Sequence, residues 1–253
     1  MHCTIFFHSL AFVFDRVFPR LDYPLSPPPS KGTNGGKKLA EMRRKEYAIN
    51  SYSVLTGGEH MKVILINGSR REKGCTRTAL EEIARELDAC GVESELIFIG
   101  NRAVNGKINE AVKEVGEKMR EADGLIIGSP VYYASPSGEV IAFLDRLFWN
   151  YGSEMAYKPG AAVVSARRGG TTASFDVLNK YFTISQMPVV SSQYWNMVHG
   201  NTPAEVQQDA EGLQTMRTLA RNMAWLLECI QAGKEKGVQL PRREERIGTN
   251  FIR

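Results

Sequence analysis

From Met61 onward, short apolar runs alternate with amphipathic stretches, a rhythm that predicts strand–helix units around a parallel sheet. The first run is Lys62-Val63-Ile64-Leu65-Ile66. It is followed by Leu96-Ile97-Phe98-Ile99, Leu125-Ile126-Ile127, Ala161-Ala162-Val163-Val164 and Val189-Val190. The runs are continuous rather than alternating, as expected of strands covered on both faces. The stretches between them carry helical spacing. Leu80, Ile83, Ala84 and Leu87 follow a capping box of Thr78 and Glu81. Ile108, Val112, Val115 and Met119 share one helix face. Ser135 and Pro136 open a third helix that turns Val140, Leu144, Leu147 and Phe148 inward, and Phe175, Leu178 and Phe182 mark a fourth. Thr202-Pro203-Ala204-Glu205 is a capped start for a long last helix bearing Leu213, Met216, Leu219, Met223, Leu226 and Ile230, with Gly233 as its end.

Five such units predict the α/β class, with a flavodoxin-like three-layer fold and a five-stranded parallel sheet of order 2-1-3-4-5. A Rossmann sheet would need six strands and a G-x-G-x-x-G first turn. The turn here is Gly68-Ser69-Arg70-Arg71-Glu72-Lys73-Gly74-Cys75-Thr76. It is not a Walker A loop either, because five residues separate its glycines and no Lys precedes Thr76.

The segment ahead of Met61 reads differently. It combines an aromatic stretch, a Pro-rich run (Pro24, Pro27, Pro28, Pro29) and a Gly-containing linker, so residues 1–60 are expected to be a disordered extension. Its apolar run carries His8, has no Lys or Arg before it and no small-residue cleavage site, which argues against a signal peptide; it is also too short to span a membrane. Gly57-Gly58-Glu59 would be encoded by a purine-rich run like a bacterial ribosome-binding site, which makes Met61 the expected true start. Residues 61–233 then form the domain and 234–253 a charged tail. Three of the four net positive charges fall in residues 1–60, leaving a near-neutral body with no electrostatic case for nucleic acid. The four cysteines (Cys3, Cys75, Cys90, Cys229) form no C-x-x-C pair, which excludes a zinc ribbon or a thioredoxin-type motif and fits a reducing cytoplasm.

In an open parallel sheet, ligands bind outside the carboxyl ends of the strands. The loops that leave this edge after the first, third and fourth strands are the richest in special residues. Residues 68–78 gather Ser69, Thr76 and Thr78 with Arg70, Arg71, Lys73 and Arg77 at a helix start, where free amides and the helix dipole hold phosphate; the same residues also read as a capped turn with a solvated basic face. Ser129-Pro130-Val131-Tyr132-Tyr133-Ala134-Ser135-Pro136-Ser137-Gly138, with two prolines and two adjacent tyrosines, makes a rigid aromatic ledge suited to a flat heterocycle, or simply a turn that caps the next helix. Ser165-Ala166-Arg167-Arg168-Gly169-Gly170 offers close backbone approach and positive charge, as would a glycine turn with exposed arginines.

Gly68-Ser69-Arg70-Arg71, Ser129-Pro130-Val131-Tyr132-Tyr133 with Phe143-Leu144-Asp145-Arg146, and Ala166-Arg167-Arg168-Gly169-Gly170 together resemble the NADPH-dependent FMN reductase family, close to iron–sulfur flavoproteins and NAD(P)H:quinone reductases. The resemblance covers roughly residues 61–231 and implies FMN as cofactor, with hydride transfer from NAD(P)H to flavin and on to a small acceptor such as a quinone or nitro compound. It implies that Ser69, Arg71, Thr76 and Thr78 hold the phosphate, that Pro130, Val131, Tyr132, Tyr133, Ala166, Arg167 and Gly169 border the ring, and that Ser165 is a further cofactor-binding residue. Cys75 stands where relatives carry Asn or Ser, and a thiol is a poor donor. The segment after the second strand, residues 99–107, is short and has no cysteine, so no iron–sulfur cluster is expected. The aromatic stretch Gln193-Tyr194-Trp195-Asn196-Met197-Val198-His199-Gly200 is expected to be a linker that lies over the flavin or packs in an oligomer; within it His199, with Tyr132, is a candidate catalytic group. A homodimer or homotetramer, cytoplasmic and without nucleic-acid or membrane partners, completes the expectation. The alternative is a non-enzymatic flavodoxin-type electron carrier, although such carriers are usually acidic and short.

Overall fold

The computed structural model describes residues 60–245, 247–249 and 251. Two units divide the chain, Met1–Leu55 and Thr56–Arg253, and every described residue belongs to the second. Apart from His60, the extension expected over residues 1–60 lies outside the described residues.

The chain runs β1 (Lys62–Asn67), α1 (Cys75–Ala89), β2 (Glu93–Phe98), a 3-10 turn (Gly100–Ala103), α2 (Ile108–Glu121) and β3 (Gly124–Tyr132). It continues with β4 (Ser135–Pro136), α3 (Gly138–Met155), β5 (Gly160–Ala166), α4 (Thr171–Ile184), β6 (Met197–His199), α5 (Pro203–Val206) and α6 (Ala210–Glu235). The sheet order is β2-β1-β3-β5-β6, with β4 hooked antiparallel onto the end of β3. Counted without that hook, the parallel strands stand in the order 2-1-3-4-5 expected from the sequence.

Alternate residues of each strand feed opposite cores, which explains the uninterrupted apolar runs. Ile64, Ile66, Leu125, Ile127, Ala162 and Val164 join Val115 and Met119 of α2, Phe143, Leu144 and Leu147 of α3 and Phe182 of α4. Val63, Leu65, Ile126, Ala161 and Val163 join Leu80, Ile83 and Leu87 of α1 and Met216, Leu219 and Met223 of α6 on the other side. Since the chain moves from β1 outward to β2 and then back past β1 to β3, the order reverses between β1 and β3. Such a reversal leaves a crevice at the carboxyl edge.

Local details differ from the sequence reading. Helix α1 begins at Cys75 behind Gly74, without a side-chain cap, so Thr78 lies inside the helix instead of capping it. Ser135 and Pro136 form β4, and α3 is capped by Ser137, whose hydroxyl accepts from Val140 N. The expected single last helix is two: Thr202 caps the short α5, and Asp209 caps α6 by accepting from Gly212 N. Gly233 sits within α6, which ends at Glu235 ahead of Gly237 in the left-handed region (φ 79°).

The fifth strand is the largest correction. Val189 makes a single bridge to Gly160, and the strand proper is Met197–His199, within the stretch expected to be a linker. Four steps along β5, from Gly160 to Val164, are matched by eight along the edge, from Val189 to Met197. The excess is extruded as a bulge that exposes Tyr194 and Trp195, their ring centroids 5.0 Å apart. Asn196 pins the bulge by donating to the Ala162 carbonyl at 3.0 Å. An edge strand pairs on one side only, so nothing opposes such an extrusion.

Candidate functional site

The loops after β1, β3 and β5 meet at the carboxyl edge through buried polar bonds. Gly68 N donates to the Gly128 carbonyl at 2.9 Å. The Gly68 carbonyl accepts from Ser137 Oγ at 2.9 Å, which ties the first loop to the start of α3. A Cβ at position 68 would lie 2.6 Å from Val140 Cγ2, so only glycine fits this joint. Thr76 Oγ1 and Ser165 Oγ lie 2.8 Å apart and join the first loop to the third. The third loop also touches the second: a Cβ on Gly170, already at φ 95°, would lie 2.7 Å from Ala134 Cα.

In the first loop, Asn67 is fully buried and holds the turn open. Its Oδ1 accepts from Ser69 N at 3.1 Å and its Nδ2 donates to the Glu72 carbonyl at 3.0 Å. Helix α1 then starts with no side chain on its leading amides, and its first backbone bond runs from Thr78 N to Gly74 O. The amides ahead of that bond have no intrahelical acceptor and point at the turn, which is the arrangement that binds an oxyanion.

Each hydroxyl has one proton, and the three predicted from the sequence spend theirs differently. Ser69 Oγ accepts from Arg71 N at 3.1 Å, which leaves its proton available. Thr76 shares a bond with Ser165 in which either atom can donate. Thr78 Oγ1 donates to the Gly74 carbonyl, so its proton is spent inside the helix. Cys75 directs its thiol to the Gly200 carbonyl at 3.6 Å, and burial pushes that thiol up from its ordinary value. Arg71 and Lys73 are exposed and make no ion pair among the described residues, whereas Arg70 pairs with Glu139 and Arg77 with Glu72 and Glu81.

The second loop is a two-residue hairpin: Val131 pairs with Pro136 and Tyr132 with Ser135. Its tip residues Tyr133 and Ala134 both have positive φ, 52° and 57°, as a type I′ turn requires. Neither is glycine, so the turn stores roughly 1–2 kcal/mol of strain per residue. Ser129 braces the base, donating to the Pro130 carbonyl at 2.8 Å and accepting from Ser137 N at 3.0 Å. The two tyrosines do not form one ledge. Val131 packs on the core and Tyr132 is 41% exposed, while Tyr133 stands wholly in solvent.

In the third loop Ser165 and Ala166 are buried, and Arg167, Arg168 and Gly169 are exposed. Neither arginine makes an ion pair among the described residues, so both leave positive potential at the edge. His199 ends β6 on the same edge; its Nδ1 lies 4.0 Å from Asp209 Oδ2, and its backbone amide donates to the same oxygen. It lines a cleft with Tyr194, Met197, Asp209, Glu211 and Thr215, none of which belongs to the three loops. Trp195, on the bulge ahead of β6, is set back from that edge.

Sequence reasoning missed Asn67 and Ser137, the residues that fix the first loop and join it to the second. The available signals were a polar residue closing the run Lys62–Asn67, and a serine three residues ahead of Val140.

Comparison with known proteins identifies the family. The model of the NADPH-dependent FMN reductase family matches residues 61–202. An iron-sulfur flavoprotein of Methanocaldococcus jannaschii is 31% identical over 192 residues, covering 68% of this chain and 100% of that protein. The FMN reductase (NADPH) of Escherichia coli is 28% identical over 195 residues, covering 72% and 94%. Among solved structures, a flavodoxin, WrbA-like protein from Agrobacterium tumefaciens shares the fold with a TM-score of 0.52 at 16% identity, over 68% of this chain and 99% of that one. The chain therefore belongs to the NADPH-dependent FMN reductase family, and it is an NAD(P)H-dependent FMN oxidoreductase of flavodoxin-like fold.

Proposed function

We propose that the protein holds FMN across the three joined loops and passes electrons from NAD(P)H to a small acceptor such as a quinone or nitro compound, without an iron–sulfur cluster. The observation that carries the placement is the uncapped start of α1, with the free proton of Ser69 and the Thr76 hydroxyl, whose bond to Ser165 can run in either direction, beside it. That donor set fits a phosphate dianion, and Arg71 and Lys73, without an ion pair among the described residues, add charge attraction. Thr78 is withdrawn from the set because its proton is spent.

FMN bound there supplies hydride chemistry at its ring. Pro130, Val131 and Tyr132 would border its ring, with Tyr133 beside them. Ala166 and Gly169 would also border it, where Arg167 would favour negative charge that develops on reduction, while the Ser165 hydroxyl is turned to Thr76. His199 is kept as a proton donor to an acceptor that enters by the β6 cleft.

The cluster-free reading is supported by composition. No cysteine falls between Cys90 and Cys229, although the Methanocaldococcus relative is named an iron-sulfur flavoprotein. Among the described residues no group of three or more His, Cys, Asp or Glu is placed to hold a metal ion, and no helix is long and apolar enough to cross a membrane. The domain is proposed to span 61–235, extended by the observed end of α6, and to work in the cytoplasm as a homodimer or homotetramer. Steady-state NADPH and NADH oxidation with menadione and ferricyanide tests the reading. Turnover with either acceptor supports it; an FMN-loaded protein that turns over only with an added reductase is an electron carrier instead.

A further inference from the structure

We propose that Ser165 is a positioning residue for the phosphate site: it donates its proton to Thr76 Oγ1 and thereby commits the proton of Thr76 to the bound anion. The inference rests on the reading of the first loop as the FMN phosphate site and adds a residue of another strand to it.

The two hydroxyls lie 2.8 Å apart, Thr76 1% and Ser165 4% exposed. Among the described residues neither hydroxyl has another partner, and the bond can run in either direction. Each group has one proton and two lone pairs. A phosphate oxygen only accepts, so Thr76 must donate to it; the pair then keeps its bond only if Ser165 donates to Thr76. The anion thus selects one of two otherwise equivalent directions, and the resulting chain of hydroxyls polarises toward the charge. Ser69 shows the same logic by another route, with the Arg71 amide occupying its lone pair and leaving its proton outward. The contact also explains Gly128. A Cβ there would lie 2.9 Å from Thr76 Cγ2, so only glycine on β3 lets Thr76 reach across to β5.

The test is titration of FMN, and separately of riboflavin, into flavin-free wild type, Ser165→Ala, Thr76→Val and the double variant. Ser165→Ala is expected to weaken FMN about tenfold, in the range of one charge-assisted hydrogen bond, and to leave riboflavin binding unchanged. Thr76→Val is expected to weaken FMN at least as much, and the double variant no further than Thr76→Val alone. Retained riboflavin binding shows that the variant is folded. The proposal is overturned if Ser165→Ala leaves FMN affinity unchanged, if it weakens FMN and riboflavin equally, or if the two substitutions add. A silent Ser165→Ala beside a damaging Thr76→Val removes only the relay. A silent Thr76→Val removes the phosphate reading itself, and the relay with it.

Discussion

Ser137→Ala is predicted to loosen the joint between the first and second loops more than its size suggests. Ser137 is fully buried; its hydroxyl accepts from Val140 N at 3.2 Å and donates to the Gly68 carbonyl at 2.9 Å. Loss of the helix cap costs about 1 kcal/mol. The buried Gly68 carbonyl left without its donor costs about 1–3 kcal/mol more. The expected destabilisation is therefore about 2–4 kcal/mol, which in a domain of this size lowers the melting temperature by roughly 5–15 °C. Urea unfolding of the flavin-free protein, followed by circular dichroism, measures it, with Ser153→Ala on the exposed face of α3 as control. FMN affinity should fall as well, because Gly68 opens the loop proposed to hold its phosphate. A loss under about 0.5 kcal/mol, no larger than that of an ordinary surface substitution, would refute the reasoning that this hydroxyl joins the loops.

Ala134→Gly removes a left-handed Cβ from the hairpin tip and is expected to stabilise by about 1 kcal/mol, raising the melting temperature by about 2–4 °C. Gly170→Ala should do the reverse, with a loss above about 2 kcal/mol in urea unfolding, because its Cβ meets Ala134 at a backbone angle that alanine resists. Thr78→Val is expected to change the FMN dissociation constant less than about threefold, since its proton never reaches the ligand; a larger effect would return Thr78 to the phosphate shell. Glu95 is held below its ordinary carboxylate value of 4.5 mainly by its hydrogen bond to Lys118, then by Lys62, against a burial effect that opposes them. Its contribution is present above pH 4.5 and lost as pH falls through the lower folded value. Glu95→Gln should therefore flatten the acid limb of stability against pH while lowering stability at neutral pH, as read by urea unfolding at stepped pH.

Much of the fold was legible because parallel strands covered on both faces leave unbroken apolar runs, and Val63 through Ile66 or Leu125 through Ile127 announce themselves that way. The edge was not. Val189-Val190 is a run of two, and the real edge strand, Met197–His199, sits in a polar and aromatic context because one side of it faces no neighbour. Caps failed in the same manner at both ends of the site. Thr78 and Glu81 have the spacing of a capping box, yet backbone closure at Gly74 starts the helix four residues earlier. Of the site, loop positions follow from strand order alone, so the carboxyl edge could be named in advance. Which hydroxyl proton is free could not, since it depends on Arg71 N, Gly74 O and Ser165 Oγ, contacts that only the folded chain creates. The exposure difference between Tyr132 and Tyr133 likewise follows from a hairpin that no glycine or asparagine advertised.

The central claim is that FMN sits at the carboxyl edge and is reduced there by NADPH. Anaerobic titration of the purified, FMN-loaded protein with NADPH, followed by its visible spectrum, tests it most directly. The account predicts a yellow protein whose flavin band bleaches in stoichiometric proportion to added NADPH. A protein that stays colourless after incubation with FMN, or a bound flavin that NADPH and NADH both leave oxidised, would contradict it.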